Sequence, residues 1–309
     1  MEKLRFLLSV TNDDNDYQIE QAAVACAAAE KAGIDLEIVS AGDNGIVQSQ
    51  QILTRIQSSS EPRPNAILLE PAGSTALPQV ARAAVEAGIG WAVLSREADY
   101  VAEMRTTYRV PIFIVTPDHK EIGRIQGRQL SALLPRGGLV LNIQGPSQSM
   151  AAQQRHEGLL ETKPKNVELR ILKGHWSESS AHKAVSAWLR LSTSRETRIA
   201  AVCAQDDSMA LGARKAFEEC PAEERERWLQ VPFLGCDGLP KTGQEWVRRK
   251  LLTTTVFSEP TAGRATEIMV QAIMSGTQPA LRTLVVTESI PAVEELAAQA
   301  ARRQAASPD

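Results

Sequence analysis

The fold is decided by the stretch Ala200-Ala-Val-Cys-Ala-Gln-Asp-Asp-Ser-Met-Ala-Leu-Gly-Ala-Arg214. Its apolar run has the length of a buried strand and stops at Gln205, and Asp206 and Asp207 then stand where a helix should begin. A second copy of the pattern, Phe233-Leu-Gly-Cys-Asp-Gly-Leu-Pro240, places Asp237 at an equivalent position. Ligands of open α/β sheets bind outside the carboxyl ends of the strands. The two stretches therefore predict carboxylates that accept hydrogen bonds from a polar small molecule.

Strand and helix signals alternate along the whole chain, which predicts an α/β fold made of βαβ units with mainly parallel sheets. The predicted strands are 5–10, 36–39, 66–69, 91–94, 111–115, 139–143, 169–172, 199–202 and 232–235. The series restarts after Pro135-Arg-Gly-Gly138, and residues 66–77 and 200–211 each read as strand, polar loop and helix. We therefore expect two Rossmann-like lobes of one architecture. The Ala/Glu/Arg-rich tail from Pro291 predicts an exposed helix that frays near Ser307.

The chain length of 309 residues suits two domains of ordinary size. A net charge of -3 and a pI near 5.9 do not favour nucleic-acid binding, which usually requires a basic surface. No apolar run approaches the ~18 residues of a membrane span, so we expect a protein that is not inserted in a membrane.

Location is predicted from the amino terminus and the cysteines. No secretory signal is visible at the start, and Cys203 and Cys236 lie within apolar strand runs as free core thiols. These features predict a cytoplasmic protein as the chain stands, or a periplasmic one if a leader has been removed.

The loop Asn12-Asp-Asp-Asn-Asp-Tyr-Gln18 follows the first predicted strand and is unusually hydrophilic. Asn15 and Gln18 can hydrogen-bond a ligand, and Tyr17 can present an aromatic face with a polar tip. The alternative is a solvated loop that caps the following helix, because Asn and Asp both favour that position.

Other candidates stand near successive strand ends. Ser95 and Arg96 end the fourth predicted strand, Arg155 lies early in a later helix, and Trp176 follows the strand at 169–172. Arginine offers a planar fork of donors suited to vicinal hydroxyls or a carboxylate. A surface ion pair or a packing role is the alternative for each residue taken alone.

Catalytic, cofactor and metal motifs are missing from the sequence. No GxGxxG, Walker A, GxSxG or HExxH pattern occurs, and the four histidines and four cysteines lack metal-ligand spacing. Asp206 and Asp237 could form an acid–base pair, but no nucleophile accompanies them. We therefore expect no enzyme activity, no cofactor and no metal.

Taken together, these features resemble the type I periplasmic binding proteins, specifically the ribose-binding and lac-repressor-core branch. The resemblance runs from the first strand to about Glu288. Its most specific parts are Asp206-Asp-Ser-Met-Ala-Leu-Gly-Ala213, Gly235-Cys-Asp-Gly238 and Arg155-His-Glu-Gly158.

The resemblance implies which residues would contact the ligand. These are Asn15, Tyr17, Gln18, Ser95, Arg96, Arg155, Trp176, Asp206, Asp237 and Ser258. The chain departs from ribose-type relatives at two of them. Ser95 stands where they carry an aspartate, and Gln18 stands where they often have a second aromatic. Ribose itself is therefore doubtful, and another sugar, a polyol or a sugar acid becomes a candidate.

The resemblance also implies the domain organisation. An N-terminal lobe would hold 1–115 plus 259–286, and a C-terminal lobe 118–256 plus 287–309. Crossings at 116–119, 257–260 and 286–289 would form a hinge that closes on the ligand.

Three functions stay open on the sequence alone. The family favours the solute-binding component of a sugar ABC importer, whose partner is a permease. A cytoplasmic sugar sensor or regulator core that lacks a DNA-binding domain and acts through a signalling partner is the alternative, and an enzyme on the same scaffold is a distant third.

Overall fold

The structure is a computed structural model that describes residues 3–60, 62–73 and 76–306. The strands in chain order are β1 (Arg5–Val10), β2 (Asp35–Ser40), β3 (Ala66–Leu69), β4 (Gly90–Leu94), β5 (Ile112–Thr116), β6 (Gly138–Gln144), β7 (Val167–Lys173), β8 (Ile199–Ala204), β9 (Phe233–Leu234), β10 (Thr255–Ser258), β11 (Arg282–Leu284) and β12 (Thr287–Ile290). The helices are α1 (Asp16–Ala32), α2 (Gly45–Gln57), α3 (Pro78–Glu86), α4 (Tyr100–Thr107), α5 (His119–Leu133), α6 (Met150–Thr162), α7 (Glu178–Leu189), α8 (Ser192–Glu196), α9 (Asp207–Glu218), α10 (Ala222–Leu229), α11 (Gly243–Arg248), α12 (Thr261–Ser275) and α13 (Val293–Ala306).

The chain forms two compact units. The first unit extends to Pro117 and includes Pro260–Val285, and the second holds Asp118–Glu259 and the chain from Val286 onward. The α/β fold class with parallel sheets in two lobes is confirmed.

The first unit is built on a six-stranded parallel sheet in the order β11-β5-β4-β3-β1-β2. Successive side chains of β1 enter opposite layers of the core, with Leu7 in one layer and Phe6 and Leu8 in the other. Strands covered on both faces read as continuous apolar runs. For this reason β1 and β3 have the bounds that the sequence predicts.

The second unit is built on a four-stranded parallel sheet in the order β7-β6-β8-β9, and β10 pairs with β12 in an antiparallel ladder. Its core includes the ring of Trp228, which stacks on Phe217 with 5.2 Å between centroids. Cys203 and Cys236 are fully buried, which confirms their prediction as core residues.

Helices α5 and α6 approach each other at two glycines. A Cβ atom on Gly158 would lie 1.9 Å from the carbonyl oxygen of Lys120, and one on Gly123 would lie 1.9 Å from that of Arg155. The helix pair therefore places the backbone of Arg155, and it explains why glycine stands three residues after that arginine.

The expected crossings at 257–260 and 286–289 coincide with the positions where the chain passes from one unit to the other, and parts of them lie in the paired strands β10 and β12. One feature differs from the expectations. Helix α13 is not simply an exposed tail, because Leu296 is fully buried and the helix packs on α5. Ser307, where fraying was expected, lies outside the described residues. Among those residues, no helix has both the length and the apolar character of a bilayer span.

Candidate functional site

The start of α1 carries the first group of predicted ligand residues. Asn15 is the N-cap, and its side-chain oxygen accepts hydrogen bonds from the backbone N–H groups of Tyr17 at 2.9 Å and Gln18 at 3.4 Å. Tyr17 is half-buried in the first helical turn. The capping role that the sequence left open is therefore present in the fold.

Gln18 and its neighbour Gln21 are buried and direct their amides at the carboxylate of Glu70. Gln18 Nε2 donates to Glu70 Oε1 at 2.9 Å, and Gln21 Nε2 donates to Glu70 Oε2 at 2.6 Å. Gln18 Oε1 also accepts from the backbone N–H of Thr11 at 3.2 Å. These three contacts lie within the first unit, where Gln18 supports a buried acid.

Sequence reasoning missed Glu70, which follows directly after the buried run of β3. It is 6% exposed. Burial raises the pKa of the Glu70 carboxyl, whereas the hydrogen bonds from Gln18 and Gln21, the Arg96 charge and the Ser95 hydroxyl lower it. The signal was the same one that marked Asp206, an acid at the carboxyl end of an apolar run.

Ser95 and Arg96 follow β4 at the same edge of the sheet. The Ser95 hydroxyl lies 3.4 Å from Glu70 Oε2 and 3.0 Å from Thr261 Oγ1. Arg96 Nη1 donates to the carbonyl of Gly73. We call Gln18, Gln21, Glu70, Ser95 and Arg96 the first-unit cluster.

The environment of Arg96 combines burial with negative charge. Burial lowers the pKa of the Arg96 guanidinium, and the charges of Glu70 and Asp43 raise it. The Arg96 side chain remains protonated at neutral pH, because the ordinary pKa of arginine lies far above neutrality. The guanidinium therefore stands among acids of its own unit.

The second unit brings Arg155, Trp176 and Asp237 together. Arg155 Nη2 lies 3.8 Å from Asp237 Oδ1, which is longer than a hydrogen bond. The Arg155 guanidinium carbon lies 5.6 Å from the centroid of the Trp176 ring, within the range of a cation–π contact. Arg155 Nη1 donates to the carbonyl of Gln205, and Nε donates to His119 Nδ1 at 3.4 Å. A cation, an anion and an aromatic ring therefore share one edge of this unit.

The paired acids after β8 have different surroundings. Asp206 caps α9 and accepts the backbone N–H of Met209 at 2.5 Å. Asp207 turns inward, where its carboxylate accepts from the Gly238 N–H at 2.7 Å and from the Thr255 hydroxyl at 2.6 Å. Burial raises the pKa of Asp207 to about 8. Asp207, which the sequence did not single out as a site residue, ties the Asp237 loop to β10.

Ser258 lies beside Asp237 at the end of β10. The Asp237 N–H donates to the Val256 carbonyl at 2.9 Å, and the Ser258 N–H donates to the Asp237 carbonyl at 3.0 Å. Ser258 is 1% exposed, and its hydroxyl has no hydrogen-bond partner among the described residues. We call Arg155, Trp176, Asp206, Asp237 and Ser258 the second-unit cluster.

Three predicted ligand residues have backbone angles that side chains rarely adopt. The φ angle is +58° at Ser95, +57° at Trp176 and +102° at Asp237. Such conformations cost of order 1–3 kcal/mol each and concentrate at functional sites. The Trp176 ring also lies where a Cβ on Gly145 would be, at 2.1 Å. The fold therefore holds strained residues at positions that the sequence had marked for binding.

Comparison with known proteins places these features in context. The family model described as periplasmic binding protein domain matches residues 6–306. The D-ribose/D-allose-binding protein of Pseudomonas aeruginosa is 26% identical over 77% of this chain and 72% of its own length. The ribose import binding protein RbsB of Escherichia coli K12 is 24% identical over 84% of this chain and 81% of its own length.

The fold also resembles solved structures. An ABC transporter periplasmic solute binding protein from Actinobacillus succinogenes with bound D-allose superposes with a TM-score of 0.79 at 21% identity, covering 95% of this chain and 99% of that one. At this level of identity the likeness shows a shared fold.

Proposed function

The chain belongs to the periplasmic binding protein domain family, and we propose that it binds a small carbohydrate-like ligand as the solute-binding component of a sugar ABC importer. The relatives named above are sugar-binding proteins, not enzymes. Binding without chemical change is accordingly the proposed activity, and an importer permease is the proposed partner.

The observation that carries the proposal is the second-unit cluster. Arg155 presents donors and Asp237 presents acceptors 3.8 Å away, a spacing at which neighbouring hydroxyls of a sugar can bond to both. The Trp176 ring offers an apolar face for the carbon skeleton of the same ligand. Small-molecule sites typically combine such an aromatic surface with a few polar groups that fix orientation.

The first-unit cluster supports the same function from another edge. Ser95 and Arg96 stand at the end of β4, where ligands of parallel sheets bind. In the proposal both clusters serve one ligand, so binding stabilises the arrangement of the chain in which both sets of contacts are made.

A ligand screen tests the proposal. Sugars, polyols and sugar acids are added to the wild-type protein and the shift in melting temperature is measured, because a ligand that binds only the folded state raises it. Hits are then titrated by calorimetry. Failure of every carbohydrate probe to bind contradicts the proposal.

Two matched variants test whether a ligand found in the screen binds at the second-unit cluster. Asp237→Asn removes the acceptor charge but preserves the shape of the side chain, and it should weaken binding. Glu168→Gln makes the same chemical change at an exposed position near the amino end of β7 and should bind like wild type. Equal affinities for the two variants would place the ligand elsewhere.

The non-enzymatic part of the proposal has its own test. A ligand incubated with the protein at high occupancy and recovered by denaturation should give an unchanged NMR spectrum. Conversion of the ligand at a rate that depends on Asp237 would instead indicate catalysis.

A further inference from the structure

The guanidinium of Arg155 is held by two acceptors of its own unit. Its Nε donates to His119 Nδ1 at 3.4 Å, and its Nη1 donates to the carbonyl oxygen of Gln205. Arg155 and His119 are 7% and 5% exposed. The third nitrogen, Nη2, lies 3.8 Å from Asp237 Oδ1. The two acceptors therefore fix the plane of the guanidinium and the edge that it turns toward Asp237.

The contact also fixes the protonation state of His119. The Nε–H of an arginine can donate a hydrogen bond but cannot accept one, so Nδ1 of the imidazole must carry no proton. His119 is therefore neutral, with its proton on Nε2. An imidazolium would lose this acceptor and would place a second cation 3.4 Å from the guanidinium.

The position of His119 in its helix acts in the same direction. His119 is the first residue of α5, where the partial positive charge of the helix amino terminus disfavours a cation. The preceding Asp118 is the N-cap, and its carboxylate accepts the Glu121 N–H at 2.9 Å. The following Lys120 is ion-paired with Glu161 at 2.6 Å.

Charged groups on neighbouring elements complete the surroundings of this contact. Asp237 lies beside Arg155, and Asp206 is the N-cap of α9. Burial raises the pKa of Asp207 to about 8, so this acid carries little charge at and below neutral pH. The other described charges on α6, β12 and α13, which pack against α5, are exposed, namely Glu157, Glu288, Glu294, Glu295 and Arg302. Protonation of His119 would thus add a second positive charge beside Arg155.

The two rings of charge and imidazole cannot easily move apart. A Cβ atom on Gly123 would lie 1.9 Å from the carbonyl oxygen of Arg155, and one on Gly158 would lie 1.9 Å from that of Lys120. The backbones of α5 and α6 therefore meet at Arg155 itself and at the residue that follows His119. Relief of a repulsion between the two side chains would require the guanidinium to turn or the helices to separate.

We propose that His119 is a positioning residue for ligand binding. As a neutral acceptor it holds Arg155 in the orientation that binds the ligand, and the affinity decreases when the imidazole takes up a proton. This inference rests on the proposed function and adds to it a residue outside the set of direct ligand contacts.

The test measures affinity as a function of pH. The probe is the sugar, polyol or sugar acid that binds most tightly in the screen, starting from D-allose and D-ribose, because none of these changes its charge appreciably between pH 7.5 and 5. Calorimetry with wild type should show the dissociation constant rising about fivefold over this range, since histidine ordinarily titrates at about pH 6.5.

Two substitutions of His119 separate its hydrogen bond from its titration. In His119→Asn the amide oxygen can take the place of Nδ1 and accept from Arg155, but it does not titrate. This variant should bind within about threefold of wild type at pH 7.5 and lose the rise at low pH. His119→Ala leaves the Nε–H without this acceptor and should weaken binding at pH 7.5 by about tenfold.

The matched control changes the neighbouring histidine of α6. His156 Nδ1 lies 2.8 Å from Gln144 Nε2, and burial lowers the pKa of its imidazole. His156→Asn makes the same chemical change one residue from Arg155 and should retain the pH dependence of wild type.

The outcomes distinguish this inference from the proposed function. A dissociation constant of wild type that stays the same from pH 7.5 to 5 overturns the inference alone, and this measurement requires no variant. Parallel pH profiles for wild type and folded His119→Asn overturn it too, as does wild-type affinity in His119→Ala. Failure of wild type to bind any carbohydrate probe overturns the proposed function and this inference with it.

Discussion

At the scale of single residues, Asp206 and Asp207 show how hydrogen-bond partners separate two identical side chains that are equally buried. Asp206 caps a helix, whereas Asp207 is enclosed by the Asp237 loop and β10. Cβ atoms on Gly235 or Gly243 would lie 2.0 Å from the Asp207 carboxylate oxygens. The two glycines therefore make room for an acid whose burial raises its pKa.

The stability of the protein should depend on pH through Asp207. Its pKa is about 8 in the folded state and 3.8 ordinarily, so the folded state binds the proton more tightly than the unfolded state. The resulting contribution is fully present below about pH 4 and is lost as pH rises through 8, at up to roughly 1.4 kcal/mol per pH unit.

Urea unfolding from pH 5 to 8 measures this dependence. Asp207→Asn removes the titrating group, and the Thr255 hydroxyl can rotate to accept from the new amide. Its free energy of unfolding should fall less over this range than that of wild type. Parallel pH profiles for the two proteins would show that Asp207 does not titrate there.

Direct ligand contacts are tested by Asp237→Ala and Arg96→Ala. Each variant should fold and should weaken ligand binding about 10- to 150-fold, because a hydrogen bond to a charged group contributes about 1.5–3 kcal/mol. Calorimetry with a screening hit measures the loss. Wild-type affinity in either variant would remove that residue from the proposed site.

At the scale of elements, α5 and α6 determine where Arg155 stands. Their contact at Gly123 and Gly158 leaves no room for a side chain on either residue. The glycine of the R-x-x-G pattern is consequently a packing residue that serves the arginine one turn earlier.

Gly158→Ala should destabilise the protein although alanine is the better helix former. Helix propensity favours alanine by about 1 kcal/mol. The new methyl group, however, would meet the backbone of Lys120 and Arg124 at 1.9 and 2.9 Å, and such overpacking costs typically 1–3 kcal/mol. The steric cost should exceed the gain in helix propensity, so the free energy of unfolding should decrease.

Chemical denaturation and calorimetry check this prediction together. The variant should show a lower free energy of unfolding and weaker ligand binding, since α6 must move to relieve the contact. Glu157→Ala, at an exposed position of the same helix, is the control and should change neither quantity by more than about 0.5 kcal/mol. Wild-type stability in Gly158→Ala would mean that the helices separate without cost.

At the scale of the whole molecule, the proposed function predicts that the protein becomes more compact when it binds its ligand. If both clusters hold one ligand, the bound state gains contacts from two units of the same chain. The radius of gyration measured by small-angle scattering should then decrease on addition of a saturating hit. Asp237→Ala at the same ligand concentration should show a smaller decrease, and an unchanged radius for saturated wild type would contradict closure.

The sequence by itself determined the fold class and the strands of the two parallel sheets except β11, which it did not predict. Parallel strands such as β1 and β3 are buried on both faces, so their apolar runs are visible without any knowledge of their neighbours. The acid or arginine after such a run marks the edge where ligands bind. The rule selects Arg96, Asp206 and Asp237, which follow β4, β8 and β9 in the structure.

Only the tertiary structure decided what each strand-end side chain does. Gln21 donates to the hydroxyl of Thr261, which is 240 residues away along the chain, and to the buried carboxylate of Glu70. The direction of Asp207 depends in the same way on Thr255, and the burial of Leu296 depends on α5. Periodicity and spacing report local geometry. Side-chain direction and pKa, by contrast, are set by neighbours that folding brings together from distant parts of the chain.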